Sequence, residues 1–180
     1  MLGEADRRSL LQFLRQSLQT HLAGRPLPTA PWDRGPLADP AAAFVTLRLP
    51  DGELRGCIGF VKPVGPLWRT AREAAVRAAT EDTRFKPVSA AELPQLRIQV
   101  SVLSEPAPTP ADAVEVGRHG LVIRMEGRSG LLLPQVADEF QLDRLGFLEA
   151  VCRKAGLPPD AWKEPQAALL SFTAEVFGEA

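Results

Sequence analysis

The chain has 180 residues, 45% of them hydrophobic and 24% charged, with a net charge of −1. That length accommodates one domain with a modest insertion and a core that buries roughly 70% of the unfolded chain's surface. The balanced charge excludes a general pull toward nucleic acid or anionic lipid, and no stretch approaches the ~20 apolar residues of a membrane span. Two cysteines, far apart in sequence, make no disulfide framework, which points to a cytoplasmic protein in a reducing compartment. The N-terminus carries no secretory pattern, because its apolar residues recur at helical spacing and no small-residue cleavage site follows.

In chain order, Leu10, Leu11, Phe13, Leu14, Leu18 and Leu22 form an apolar stripe that predicts a helix from about Ala5 to His21, stopped by Gly24 and Pro26. The proline-rich "RPLPTAPWDRGPLADP" reads as an extended surface arm, with Trp32 pinning it to the body. In "AAAFVTLRLPDGELRGCIGF" two β-prone runs flank "PDG": Pro50 presets a turn dihedral and Gly52 can take a positive φ, so a hairpin with a three-residue loop is expected. Pro66 opens a helix through Leu67, Trp68, Ala71, Ala75, Ala78 and Ala79. Its small apolar face predicts close packing, while Arg69, Glu73 and Arg77 share another face. "EDTRFKPVSAAEL" is a loop leading into a short helical turn.

Leu96, Ile98, Val100 and Val102 alternate with Arg97, Gln99 and Ser101, the pattern of a strand with one wet or partly covered face. After the proline-rich "SEPAPTPADAVEVG", the run "HGLVIRMEGRSGLLLP" predicts a second hairpin turning at Gly127 to Gly130. Asp143 can cap a helix bearing Leu145, Leu148, Cys152 and Ala155 on one face, ended by Gly156 and Pro158. "ALLSFTAEVF" is the last strand. This order predicts an α+β domain whose mainly antiparallel sheet of about five strands is flanked by helices.

The segments "FVTLRLPDGELRGCIGF", "AATEDTRFKPV", "VSVLSEP", "GLVIRMEGRSGLLLPQVADEF" and "FLEAVCRKAGL" together resemble the AMMECR family, called AmmeMemoRadiSam system protein A in bacteria and archaea. The likeness runs from about Ala42 to the final strand, and the signature "LRGCIG" stands intact at Leu54–Gly59. One departure is visible: Leu142–Asp143 replaces the Trp–Asp pair usual before "FLEAVC". The resemblance implies an α+β fold with a smaller mid-chain lobe, placed here at about 61–94 between the two parts of a larger lobe, 1–60 and 95–180. It also implies Memo-like and radical-SAM partners. No reaction comes with it, so function must be argued from the site.

Arg55 and Cys57 point to the same face of a strand, where a guanidinium can lower a thiol pKa from about 8.5. Gly56 and Gly59 leave room beside the thiol for a ligand or another backbone. The expected site is therefore a cleft lined by Leu54, Arg55, Gly56, Ile58 and Gly59 with Asp82, Arg84 and Phe85. Arg55 would hold a small anionic group, and Cys57 would be a thiol contact or the reacting, catalytic group. The alternative is a buried Cys57 acting as a small hydrophobe, with glycines marking a helix–sheet contact and Asp82 and Arg84 anchoring their loop. For a base, His21 ends a surface helix, His119 in "GRHG" reads as a turn residue, and Asp82 or Glu81 could stand in.

Cys152 lies on an apolar helix face and reads as buried. No CxxC or HxxxH spacing, dinucleotide fingerprint, P-loop or GxSxG is present, so no metal or cofactor is expected. Arg69, Arg72 and Arg77, near Lys62 and Lys86, read as a solvated face before a nucleic-acid surface. Three functions follow in order. The first is a protein binding a small ligand or partner at the signature and supporting or catalysing a modification step. A non-catalytic adaptor is second, and a nucleic-acid-binding protein is third.

Overall fold

A computed structural model describes residues 1–179. The elements run α1 (Glu4–Leu22), β1 (Ala42–Arg48), β2 (Leu54–Phe60), α2 (Leu67–Thr80), β3 (Arg97–Leu103), β4 (Ala107–Pro108), β5 (His119–Met125), β6 (Arg128–Leu132), α3 (Pro134–Glu139), α4 (Arg144–Lys154) and β7 (Ala168–Gly178). The α+β class and the antiparallel sheet are as expected, with seven strands rather than about five. None of the described helices is long and apolar enough to cross a membrane. The chain divides into two compact units, Met1–Leu103 with Glu175–Ala180, and Ser104–Ala174.

In the first unit β1 lies between β2 and β3, antiparallel to both, with Val45 opposite Ile58 on one side and Val100 on the other. Ala43, Val45, Leu47, Ile98 and Val100 point to one face and are fully buried. Leu10, Leu14 and Leu18 of α1 and Ala71, Ala74 and Ala75 of α2 join the same core. The alanine face lets α2 approach the sheet closely. Residues 61–94, expected as an inserted lobe, therefore belong to this unit, and 104–174 forms the inserted one.

The proline-rich arm is pinned as its sequence predicts. The Phe13 ring meets Trp32 and Trp68 edge-on, with centroids 5.4 and 5.9 Å away. Arg72 stacks over Trp68 at 5.2 Å and donates to the Pro28 carbonyl at 2.7 Å. Burial pushes its pKa down. The chain's last described residues are tied to α1 and β3: Glu175 accepts from the Leu2 amide and pairs with Arg7, while Glu179 pairs with Arg15 and accepts from the Ile98 amide.

The "PDG" hairpin forms as predicted. The Gly52 amide closes a four-residue turn on the Leu49 carbonyl at 2.9 Å, and Gly52 takes φ 91°. The register slips between Leu47 and Arg48 on its partner strand, so Arg48 faces Leu54.

In the second unit the strand order is β4-β7-β5-β6, all pairings antiparallel. The β5–β6 turn is tighter than predicted: Glu126 (φ 50°) and Gly127 (φ 76°) make a two-residue turn with both dihedrals positive. Gly130 lies in β6 instead, where an added Cβ would stand 2.6 Å from the Ala155 nitrogen. Asp143 caps α4 by accepting from Gly146 at 2.8 Å. The buried stripe of α4 centres on Phe147, Leu148, Val151 and Cys152, which leaves Leu145, in the first turn, 51% exposed. Helix α3, opened by Pro134, was not anticipated from the sequence.

Candidate functional site

Strand β2 is an outer strand of the sheet, paired only with β1. Its side chains alternate as the sequence requires. Gly56, Ile58 and Phe60 face inward, and Ile58 and Phe60 pack on the core. Arg55, Cys57 and Gly59 take the opposite face. Leu54 closes the hairpin opposite Arg48.

Cys57 is half-buried. It stands opposite Thr46, whose hydroxyl donates to its sulfur at 3.2 Å. Its amide N–H points off the sheet edge and donates to Asp82 Oδ2 at 2.9 Å. The Asp82 carboxylate is buried and also accepts from Arg84 Nε at 2.9 Å, Nη2 at 2.7 Å and the Arg84 amide at 3.2 Å. The guanidinium holds the Asp82 carboxyl well below the usual carboxylate range, helped by the Cys57 and Arg84 amides and opposed by burial. The same hydrogen bond raises the pKa of Arg84, and the nearby Cys57 sulfur contributes in the same direction. Arg84 is 55% exposed while Asp82 is 6% exposed, so one carboxylate fixes a solvent-facing cation and a half-buried thiol together.

Arg55 has a different role from the one expected. Its guanidinium pairs with Glu92, through Nε at 2.5 Å and Nη2 at 3.1 Å, and donates to the Lys86 carbonyl at 2.9 Å. Phe85 lies between two cations, 5.9 Å from Arg55 and 5.5 Å from Arg84. Arg55 thus fastens the loop after α2 to β2, and the exposed cation near the thiol is Arg84.

Of the readings open for the glycines, the helix–sheet contact is the one found at Gly56. A Cβ on Gly56 would lie 2.2 Å from the Ala78 carbonyl oxygen, and one on Gly59 would lie 2.2 Å from the Phe44 ring. The space beside each is filled, by α2 in one case and by an aromatic ring in the other.

The base candidates do not converge on the thiol. Asp82 spends its oxygens on the Cys57 amide and on Arg84. His119 Nδ1 accepts from the Glu115 amide at 3.1 Å, as a turn residue would. Cys152 is fully buried, which pushes its thiol pKa up. No group of three or more metal-ligating side chains occurs among the described residues. Because Asp82 occupies the Cys57 N–H, that amide is no oxyanion donor, and a carboxylate stands where an oxyanion would have to sit. The arrangement suits thiol contact, or attack on a group that builds no oxyanion at this amide.

Thr46, Glu92 and Phe44 were missed. The hydrophobic alternation of "AAFVTLR" places Thr46 and Phe44 on the outer face, but only strand register brings them to Cys57 and Gly59. No local signal pairs Glu92 with Arg55, 37 residues away.

The AMMECR1 family profile matches residues 11–177. The chain belongs to the AMMECR1 family. Its archaeal relatives include Protein MK0488 of Methanopyrus kandleri, 47% identical over 79% of this chain and 73% of that protein. A protein of Methanothermobacter thermautotrophicus is 40% identical over 99% of this chain and 96% of its own length. Among solved structures, the uncharacterized protein PH0010 from Pyrococcus horikoshii has the same fold, with a TM-score of 0.87, 37% identity, and coverage of 96% of this chain and 91% of that one. The family relationship fixes the fold and assigns no reaction.

Proposed function

We propose that this AMMECR1 protein binds a small ligand on the β2 edge, with Cys57 as the thiol contact and Arg84 as the cation that meets it. The observation that carries this reading is the double use of Asp82. Its buried carboxylate grips the Cys57 amide and the Arg84 guanidinium at once, so thiol and cation are held in fixed relation before any ligand arrives. The work with Memo-like and radical-SAM proteins is part of the same proposal and rests on the family resemblance.

The test compares alkylation of Cys57 by anionic iodoacetate and by neutral iodoacetamide, each read by mass spectrometry of the Cys57 peptide. Arg84 should favour the anion. Arg84→Gln should lower the iodoacetate-to-iodoacetamide rate ratio roughly two- to fivefold, as loss of one exposed charge interaction implies, and Arg84→Lys should restore most of it. A Cys57 that reacts only when the chain unfolds would sink the proposal and leave the adaptor reading, with the signature as a packing device.

A further inference from the structure

Three positions along the outer face of the β2-β1-β3 sheet line up across the strands. Gly59, Phe44 and Ser101 are partners at one level, Cys57, Thr46 and Gln99 at the next. At the third level, by the hairpin turn, the slipped register sets Arg48 opposite Leu54 on one side and Arg97 on the other. Two arginines thus stand directly across from each other in an antiparallel pair, an arrangement that destabilises a sheet. Arg97 is exposed and Arg48 half-buried, and neither forms an ion pair among the described residues. Arg48 Nε reaches Gln99 at 3.4 Å and its Nη1 donates to the Gly52 carbonyl at 3.0 Å, so its guanidinium is oriented by neutral partners. The turn carboxylates do not neutralise it, and Asp51 accepts from the Glu53 amide. Arg55, on this same face, already has Glu92 as its acid.

We infer that Arg48 and Arg97 form an oxyanion subsite, and that the ligand of the Cys57 face carries a phosphate or carboxylate group received there. This rests on the reading of Cys57 as a ligand contact and adds the ligand's class. Arg48 and Arg97 stand two residues, about 6.6 Å, along the strands from the Cys57 level and one and two strands, at about 4.8 Å each, to its side, so the ligand's oxyanion lies about 10 Å from the part that meets the thiol. A chain with a net charge of −1 has no need, for solubility, of an arginine couple that lacks an acid among the described residues, and such a couple is relieved when an oxyanion bridges both guanidinium groups. Gln99, opposite Thr46 on β3 and within reach of Arg48 Nε, supplies a neutral polar neighbour for the ligand's middle.

The experiment titrates the intact protein with inorganic pyrophosphate and, separately, with succinate, following the arginine Nε–H resonances by 15N NMR. Saturable shifts of the Arg48 and Arg97 signals are expected. Pyrophosphate acting alone assigns a phosphate group, succinate acting alone a carboxylate. Arg48→Gln or Arg97→Gln should each weaken binding about tenfold or more, as loss of a charged hydrogen-bond partner implies, while the remote Arg8→Gln leaves it unchanged. Arg97→Gln should also melt no lower than the parent protein, because it removes a like-charge opposition. An arginine with a purely structural role would lower the melting temperature instead. The inference is overturned if neither probe gives saturable shifts at these two residues, or if Arg8→Gln weakens binding as much as Arg97→Gln. In either case the iodoacetate ratio at Cys57 still judges the parent proposal separately.

Discussion

Replacing Gly56 by alanine puts a Cβ 2.2 Å from the Ala78 carbonyl oxygen and 3.2 Å from its carbon. A carbon rests no closer than about 3.3 Å to such an oxygen, so β2 and α2 must separate by about 1 Å. The obstacle is main chain in the last turn of α2, and no side-chain rotation relieves it. The face being pried apart includes Ala71, Ala74 and Ala75, all fully buried, so the separation opens the core where it is tightest. Overpacking of this kind costs about 2–4 kcal/mol. With a urea m-value of roughly 2 kcal/mol/M, the unfolding midpoint of Gly56→Ala should fall by about 1–2 M.

Gly59 supplies the contrast. There the obstacle is the ring of Phe44, which is half-buried and belongs to a side chain. Gly59→Ala alone should cost about 1–3 kcal/mol, and most of that cost should vanish in a Phe44→Ala background, giving a large coupling in a double-mutant cycle. Ala78→Gly should give Gly56→Ala no comparable rescue, because it leaves the carbonyl in place. Urea unfolding followed by circular dichroism reads all of these. A Gly56→Ala midpoint within about 0.3 M of the parent would refute the claim that this glycine is required by the α2 contact.

Asp82 and Glu126 give two further tests. The folded-state pKa of Asp82 is depressed, so its contribution is complete above the unfolded value of about 4 and is lost as pH falls through the lower folded one. Asp82→Asn should therefore cost about 2–3 kcal/mol at pH 7, with a gap that narrows well below pH 4, and equal gaps at pH 7 and pH 2.5 would contradict this linkage. Glu126 holds φ 50° in the β5–β6 turn, a conformation asparagine adopts more readily. Glu126→Asn should raise stability by about 0.5–1 kcal/mol, measured as a higher urea midpoint, and a lower midpoint would count against the turn assignment.

Much of the fold was legible because its signals are local. The leucine stripe of α1, the "PDG" turn, Pro66 at the head of α2 and Asp143 at the head of α4 each act within a few residues, through helical period, turn dihedrals or a capping bond. The signature also announced itself, since two glycines beside a cysteine in a strand call for a close neighbour. The sequence left open whether that neighbour is a ligand or a packed helix. Periodicity places Gly56 and Cys57 on opposite faces, but only the packing of α2 and the Phe44 ring turns the expected opening into two filled contacts.

The same division holds for charge. The alternation of "EDTRF" residues and their acid–base composition could be read from the chain, and Asp82 and Arg84 do form the predicted loop anchor. The pairing of Arg55 with Glu92 could not be read, because Glu92 reaches Arg55 only once α2 and the loop after it have folded back along β2. Likewise the Arg48–Arg97 opposition exists only through the register of β1 with β3, where strands distant in sequence are set side by side. Composition, period and turn chemistry determined which elements form and which face each turns inward. Tertiary structure decided which charges meet, because Coulomb and hydrogen-bond energies depend on ångström separations that loop closure and strand register alone establish.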